Sequence, residues 1–124
     1  MSPSNETRDP GSMLPLKSVD FLILVMLARG DRHGYGIMQD IVQHTGGDVA
    51  LEAGSLYRTI RRLSDEGLVV ESGRRPAAAD DDERRRYYRL TVFGRRVAAA
   101  ETARLRNLVR LAEASLLPLP VVAR

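Results

Sequence analysis

The sequence predicts a mainly α-helical fold with a small β-hairpin, closed by one long helix, and three observations carry that expectation. The stretch Ala53 to Val70, AGSLYRTIRRLSDEGLVV, puts Leu56, Ile60 and Leu63 on one helical face and Ser55, Arg58, Thr59 and Arg62 on another. Gly67 suits a left-handed C-cap, and Leu68, Val69 and Val70 then read as the start of a strand. Two shorter helical patterns precede this stretch, and RRRYYRLT follows it with the aromatic content of a strand. Finally, Leu105, Leu108, Val109, Ala112 and Leu116 recur at steps of three, one, three and four, giving one apolar stripe along a terminal helix.

Taken in order, residues 1–12 are polar, hold Pro3, Pro10 and Gly11, and read as a disordered tail. Ser18 is placed to cap a first helix over Ser18 to Ala28. Its run VDFLILVMLA is apolar nearly all round, which makes the helix central to the core and also suited to a partner interface. His33-Gly34-Tyr35-Gly36 opens a second helix running to about Thr45, with Ile37, Ile41 and Val42 as its buried stripe and Gly46-Gly47 as its stop. His33 reads as a capping residue rather than a metal ligand, because His44, the other histidine, lies too far along the helix to share an ion. Asp48 to Glu52 is a connector in which a brief strand can form. The third helix follows, then strands over Leu68 to Gly73 and Arg84 to Thr91, joined by the polar tip RRPAAADDDE. Thr91 caps the last helix, Val92 to Leu116, and Pro118 and Pro120 end it.

Helix, helix, connector, helix and hairpin is the order of a helix-turn-helix with a wing. The expected organisation is a tail (1–12), a winged helix-turn-helix domain (13–91), a C-terminal dimerisation helix (92–117) and a flexible tail (118–124). A long helix after a complete small domain has little of its own chain left to bury against, so a second copy is its simplest cover; the alternative is a helix folded back on its own domain.

Composition narrows the function classes. The chain has 124 residues, 44% of them apolar and 28% charged, enough for a core and for solubility. Its net charge is +3 with a pI near 9.8, and the cations cluster as Arg61-Arg62, Arg74-Arg75, Arg84 to Arg86 and Arg95-Arg96. Lys17 is the only lysine, and Arg is the better fork for phosphate and base edges. There is no cysteine, which excludes disulfides, thiol catalysis and cysteine zinc sites. The longest apolar run, Phe21 to Ala28, falls short of the roughly 20 residues of a membrane span. MSPSNETRDPGS lacks the pattern of a secretory signal, and a cytoplasmic protein is expected from the absence of cysteine. Nothing supports an enzyme: the histidines are unpaired, and Asp80 to Glu83 lacks metal-ligand spacing. No catalytic residue, metal or cofactor is expected.

A short helix whose outer side carries arginines and hydroxyls is what a DNA major groove admits. Arg58 and Arg62 are assigned to base edges or nearby phosphates, Ser55, Tyr57 and Thr59 to holding the helix in the groove, and Arg61 to phosphate. Gly34 and Tyr35 open the second helix, where backbone N–H groups can meet a phosphate. Three readings of this face stay open: a DNA reader, an ordinary solvated helix, and an interaction module that uses the same shape without DNA, which the acidic tip Asp80 to Glu83 favours slightly.

Four pieces of the chain, in this order and spacing, resemble the PadR family of bacterial transcriptional regulators. They are LILVML before RHGYGI, the segment GSLYRTIRRLSDEGLV, the strand end RYYRLT, and Gly94 three residues after Thr91, together covering about Leu16 to Leu116. The likeness is to the short branch with a single C-terminal dimerisation helix; the multiple-antibiotic-resistance regulators fit the motif order less well. The resemblance implies a repressor, a homodimer whose last helix packs on the partner's first helix, a palindromic operator in double-stranded DNA, and release by a small aromatic or drug-like ligand. It places the family's third-helix tyrosine on Tyr57, the hydroxyl before it on Ser55, and the wing cations on Arg84, Arg85 and Arg86. The chain departs from the pattern in its acidic wing tip. It also lacks the tryptophan that some drug-binding members stack on a planar ligand, and Leu105 stands in that neighbourhood as the candidate ligand contact.

Overall fold

The computed structural model describes residues 8–72 and 86–117. Four helices and a three-stranded antiparallel sheet are present among them: α1 (Ser18–Ala28), β1 (Arg32–His33), α2 (Gly34–His44), α3 (Ala53–Asp65), β2 (Val69–Glu71), β3 (Tyr87–Leu90) and α4 (Val92–Leu116). β3 is the central strand, with β1 on one side and β2 on the other. Val69 faces Leu90 and Glu71 faces Tyr88 across the hairpin, while Arg32 and His33 pair with Tyr88 and Tyr87.

α1 is apolar on nearly every side, and it sits accordingly at the centre, against α2, α4 and β3. Ile23, Leu24, Met26 and Leu27 are buried there with Ile37 and Ile41 of α2, Leu56, Ile60 and Leu63 of α3, and Phe93 and Val97 of α4. Gly67 stops α3 at φ 81°, in the left-handed region where a side chain is strained. Thr91 fastens the last helix from both sides: its Oγ1 accepts from the Gly94 N–H at 2.9 Å and donates to the Gly67 carbonyl at 2.7 Å. Gly94 has no room for a Cβ, which would overlap the Leu68 carbonyl, so α4 can approach the start of β2 this closely only with glycine there.

Several expectations change. Lys17, not Ser18, is the N-cap of α1, without a side-chain bond, and Ser18 is the first helical residue. Val42 is exposed rather than part of the buried stripe, since Ile37 and Ile41 already fill the face of α2 that meets the core. No strand forms at Asp48 to Glu52; the additional strand is Arg32–His33, which turns the expected hairpin into a three-stranded sheet. The expected tail is ordered from Arg8 onward: Asp9 accepts from the Gly11 N–H and caps a 3-10 turn, Pro10–Met13, which packs on α4. Residues 1–7 of that expected tail lie outside the described residues, as do the wing tip with Asp80 to Glu83, Arg84 and Arg85, and the expected tail 118–124.

The segment from Arg8 to Leu16 forms a strap along α4. At its far end the Leu16 N–H donates to Oε2 of Glu101 at 3.1 Å. Glu101 is buried, and Arg104 holds both of its carboxylate oxygens at 2.6 and 2.9 Å. The Arg104 bond keeps the Glu101 carboxyl below the usual carboxylate range; burial pulls the other way, and the Leu16 N–H reinforces Arg104. Beyond this point α4 leaves the body. From Arg106 to Leu117 every residue is exposed, a stretch of about 18 Å at 1.5 Å per residue. That arm carries Leu108, Val109, Leu111 and Leu116 at 48–62% exposure.

Candidate nucleic-acid interface

α3 is set by what it buries. Leu56, Ile60 and Leu63 fix its inner face, and a rotation of 100° per residue then dictates where every other side chain goes. Gly54, Arg58, Arg61 and Asp65 point outward and are exposed. Ser55, Thr59 and Arg62 fall on one flank of that face, and Tyr57 and Ser64 on the other, all half-buried. Arg58 is at the apex, and its Nη2 donates to Ser55 Oγ at 3.2 Å, an exposed bond within one turn that steadies the guanidinium without burying it.

The flank towards the sheet forms a notch of about 280 Å³ between α3 and the hairpin. Tyr57, Arg61 and Ser64 line it from the helix, and Glu71, Arg86 and Tyr88 from the strands. Arg86 stands 3.9 Å from Glu71, a loose pair at the root of the wing. Of the three expected wing cations, Arg86 is therefore placed beside α3, and Arg84 and Arg85 lie outside the described residues.

Arg62 is not presented as the sequence suggests. Its Nη2 donates to both oxygens of Asp20 on α1, at 2.8 and 2.9 Å, and its Nη1 lies 3.5 Å from Glu66. The bond to Asp20 raises the guanidinium above its ordinary pKa. Asp20 is 5% exposed, so its carboxylate depends on that partner. Stripping the partner from a buried carboxylate costs about 3 kcal/mol, the low end of the range because Arg62 is itself half exposed. A bidentate base contact returns about 1–3 kcal/mol. Leaving Asp20 to read a base therefore gains nothing; in this structure Arg62 tethers α3 to α1 instead of standing free for the base edges or nearby phosphates expected of it.

Tyr57 and Gly34 are brought together rather than presented side by side to a ligand. The Tyr57 ring lies on the Cα of Gly34, where a Cβ would overlap it, and Gly34 is buried as a result. Gly34 lets α2 and α3 cross closely, and its burial sets it apart from the exposed start of α2 expected to meet a phosphate. Its neighbour Tyr35 remains exposed on the first turn of α2. His33 caps that turn: Nδ1 accepts from the Gly36 N–H at 2.9 Å, and the ring stands edge-on to Tyr87 at 5.5 Å. The capping role read from the sequence is the one it has.

The residues that sequence reasoning missed are Asp20, Glu66 and Arg8. Asp20 carried a usable signal, as the lone acid inside an apolar helical run, where a charge needs a buried partner. Glu66 carried another, standing four residues after Arg62 at helical spacing; Arg8 carried none, because its bond to the Glu66 carbonyl joins residues 58 positions apart.

A family model described as the transcriptional regulator PadR-like family matches residues 23–100. No curated protein matches the chain. Among solved structures, a transcriptional regulator from Clostridium thermocellum is similar at 24% identity and a TM-score of 0.66, over 81% of this chain and 97% of that one. A PadR family transcription regulator from Clostridium difficile is similar at 23% identity and a TM-score of 0.66, over 81% and 99%. PadR from Bacillus subtilis, solved in complex with operator DNA, is similar at 23% identity and a TM-score of 0.58, over 69% of this chain and 47% of that one. At these identities the solved structures establish the winged-helix fold.

Proposed function

The chain belongs to the PadR-like family of transcriptional regulators, and from that premise we propose that it is a repressor that binds a palindromic operator as a homodimer. The observation that carries the DNA reading is the outer face of α3, where Arg58 and Arg61 stand exposed above a fully apolar inner face, beside a hairpin that carries Arg86. The similar Bacillus subtilis protein was solved with operator DNA. In this proposal Arg58 meets base edges, Ser55 and Thr59 steady the helix in the groove, and Arg61, Arg86 and the start of α2 at Tyr35 meet phosphates. Tyr57 acts by holding α2 against α3.

Pairing is supported by the α4 arm, whose stripe of Leu108, Val109, Ala112 and Leu116 is exposed, with no cover among the described residues. The half-buried side of α1, with Phe21, Leu22 and Val25, is a surface of matching character for the partner's arm. Two reading helices one DNA turn apart, about 34–36 Å, then face one side of the duplex. Leu105, half-buried at the root of the arm, lies where a small planar effector would enter between the subunits and release the DNA.

A salt titration of binding to the DNA upstream of the gene tests this reading. Affinity should fall steeply and linearly on a log–log plot, by about 0.9 per phosphate contacted. Affinity indifferent to salt would point instead to a protein-interaction module, and sedimentation of the free chain as a monomer at micromolar concentration would remove the pairing.

A further inference from the structure

The C-terminal end of α3 belongs to a series of arginine-centred contacts that joins it to both scaffold helices. Asp20 of α1 holds Arg62 by two bonds, Arg62 pairs with the Glu66 carboxylate, and the Glu66 backbone carbonyl accepts from Arg8 Nη1 at 2.9 Å. The Arg8 guanidinium in turn lies 4.1 Å above the ring centroid of Phe93, which is fully buried on α4. The strap that carries Arg8 is fastened again, further along α4, by Leu16 to Glu101.

These links act differently from the apolar packing beside them. Leu56, Ile60 and Leu63 resist separation of α3 from the core, but such contacts are non-directional and tolerate small slides and tilts. Charge-assisted hydrogen bonds have preferred directions and lengths. An arginine on the last carbonyls of a helix also meets the negative end of its dipole. The series therefore fixes how α3 is tilted relative to α4.

In a pair joined through α4, that tilt decides how far apart the two reading helices stand. We infer that Arg8 and Arg62 are positioning residues, which hold α3 at one angle to the arm and thereby set the half-site spacing that the dimer accepts. The inference rests on the paired DNA-binding reading above. Neither residue contacts DNA in it.

The test uses the full chain. Duplexes of random sequence bound by the wild type give the half-site; that half-site is then rebuilt as inverted repeats whose spacing varies in steps of one base pair. The wild type should prefer one spacing sharply. Arg8→Gln and Asp20→Asn should each reduce discrimination against neighbouring spacings roughly tenfold, with the half-site sequence preference and the salt dependence unchanged. Arg58→Ala should do the reverse, relaxing base preference and keeping the spacing. Unchanged spacing discrimination in Arg8→Gln overturns the inference, as does a salt slope smaller by about one, which would make Arg8 a phosphate contact. If Asp20→Asn fails to fold, Arg8→Gln decides alone. A wild type that recovers no inverted repeat sinks the paired reading itself, whereas a sharp wild-type preference kept by Arg8→Gln sinks only the positioning role.

Discussion

Arg58 and Arg62 are one helical turn apart, and what stands beside each decides what it does. Among the described residues Arg58 bonds the exposed Ser55 hydroxyl, whereas Arg62 has a buried carboxylate. Truncating Arg58 to Ala should therefore cost about 1–3 kcal/mol of operator affinity and relax the preference at one base position, read by titration against a set of single-base operator variants. Gly34→Ala should leave the arginines in place and strike the fold instead. Its methyl would meet the Tyr57 ring, and an unfolding titration should register a loss of about 1–3 kcal/mol. The apolar positions of α3 were legible in the sequence because helical spacing reports directly on the inner face. The pairing of Arg62 was legible only in part: Asp20 stands out as the lone acid in an apolar run, but spacing says which side a residue lies on and nothing about what packs there.

Among the elements, α4 was the easiest to place and the strap the hardest. Thr91 supplies a local start signal, and the helix begins and ends where the sequence puts it, from Val92 to Leu116. The strap has no periodicity, and its contacts join residues 58 and 85 positions apart, so composition alone suggests a loose tail. β1 escaped for a similar reason: two residues are too few to show an alternating pattern. Glu101, where the strap is fastened, also makes the fold sensitive to acid, chiefly through its bond to Arg104 and secondarily through the Leu16 N–H. The Glu101 carboxyl is held below the usual carboxylate range in the folded chain, so its contribution is fully present above the pH where an ordinary glutamate titrates. It is lost as pH falls through the lowered value. Thermal unfolding of the wild type should weaken on acidification across that window, and Glu101→Gln should start less stable and lose less. Equal acid losses in the two proteins would remove this account.

For the molecule as a whole, the order of helices and hairpin was legible because each piece carries its own local signal: caps, glycine stops and aromatic strands. What no local signal gives is how those pieces are braced against one another, and that bracing runs through Asp20, Arg62, Glu66 and Arg8. The exposed arm gives the prediction at this scale. Leu108→Glu places a charge in the middle of the arm's stripe without touching α3. It should convert the free protein to monomers by sedimentation and weaken operator binding at least tenfold, while single-site contacts survive at low salt. In the proposed pairing, where a second copy covers this helix, the chain is also a gauge of its own abundance. While most copies are single, doubling their number in the cell raises the paired form fourfold by mass action. Silencing would then set in over a narrow range of expression, and a gene controlled by its own product through such a coupling would settle at a fixed level rather than drift.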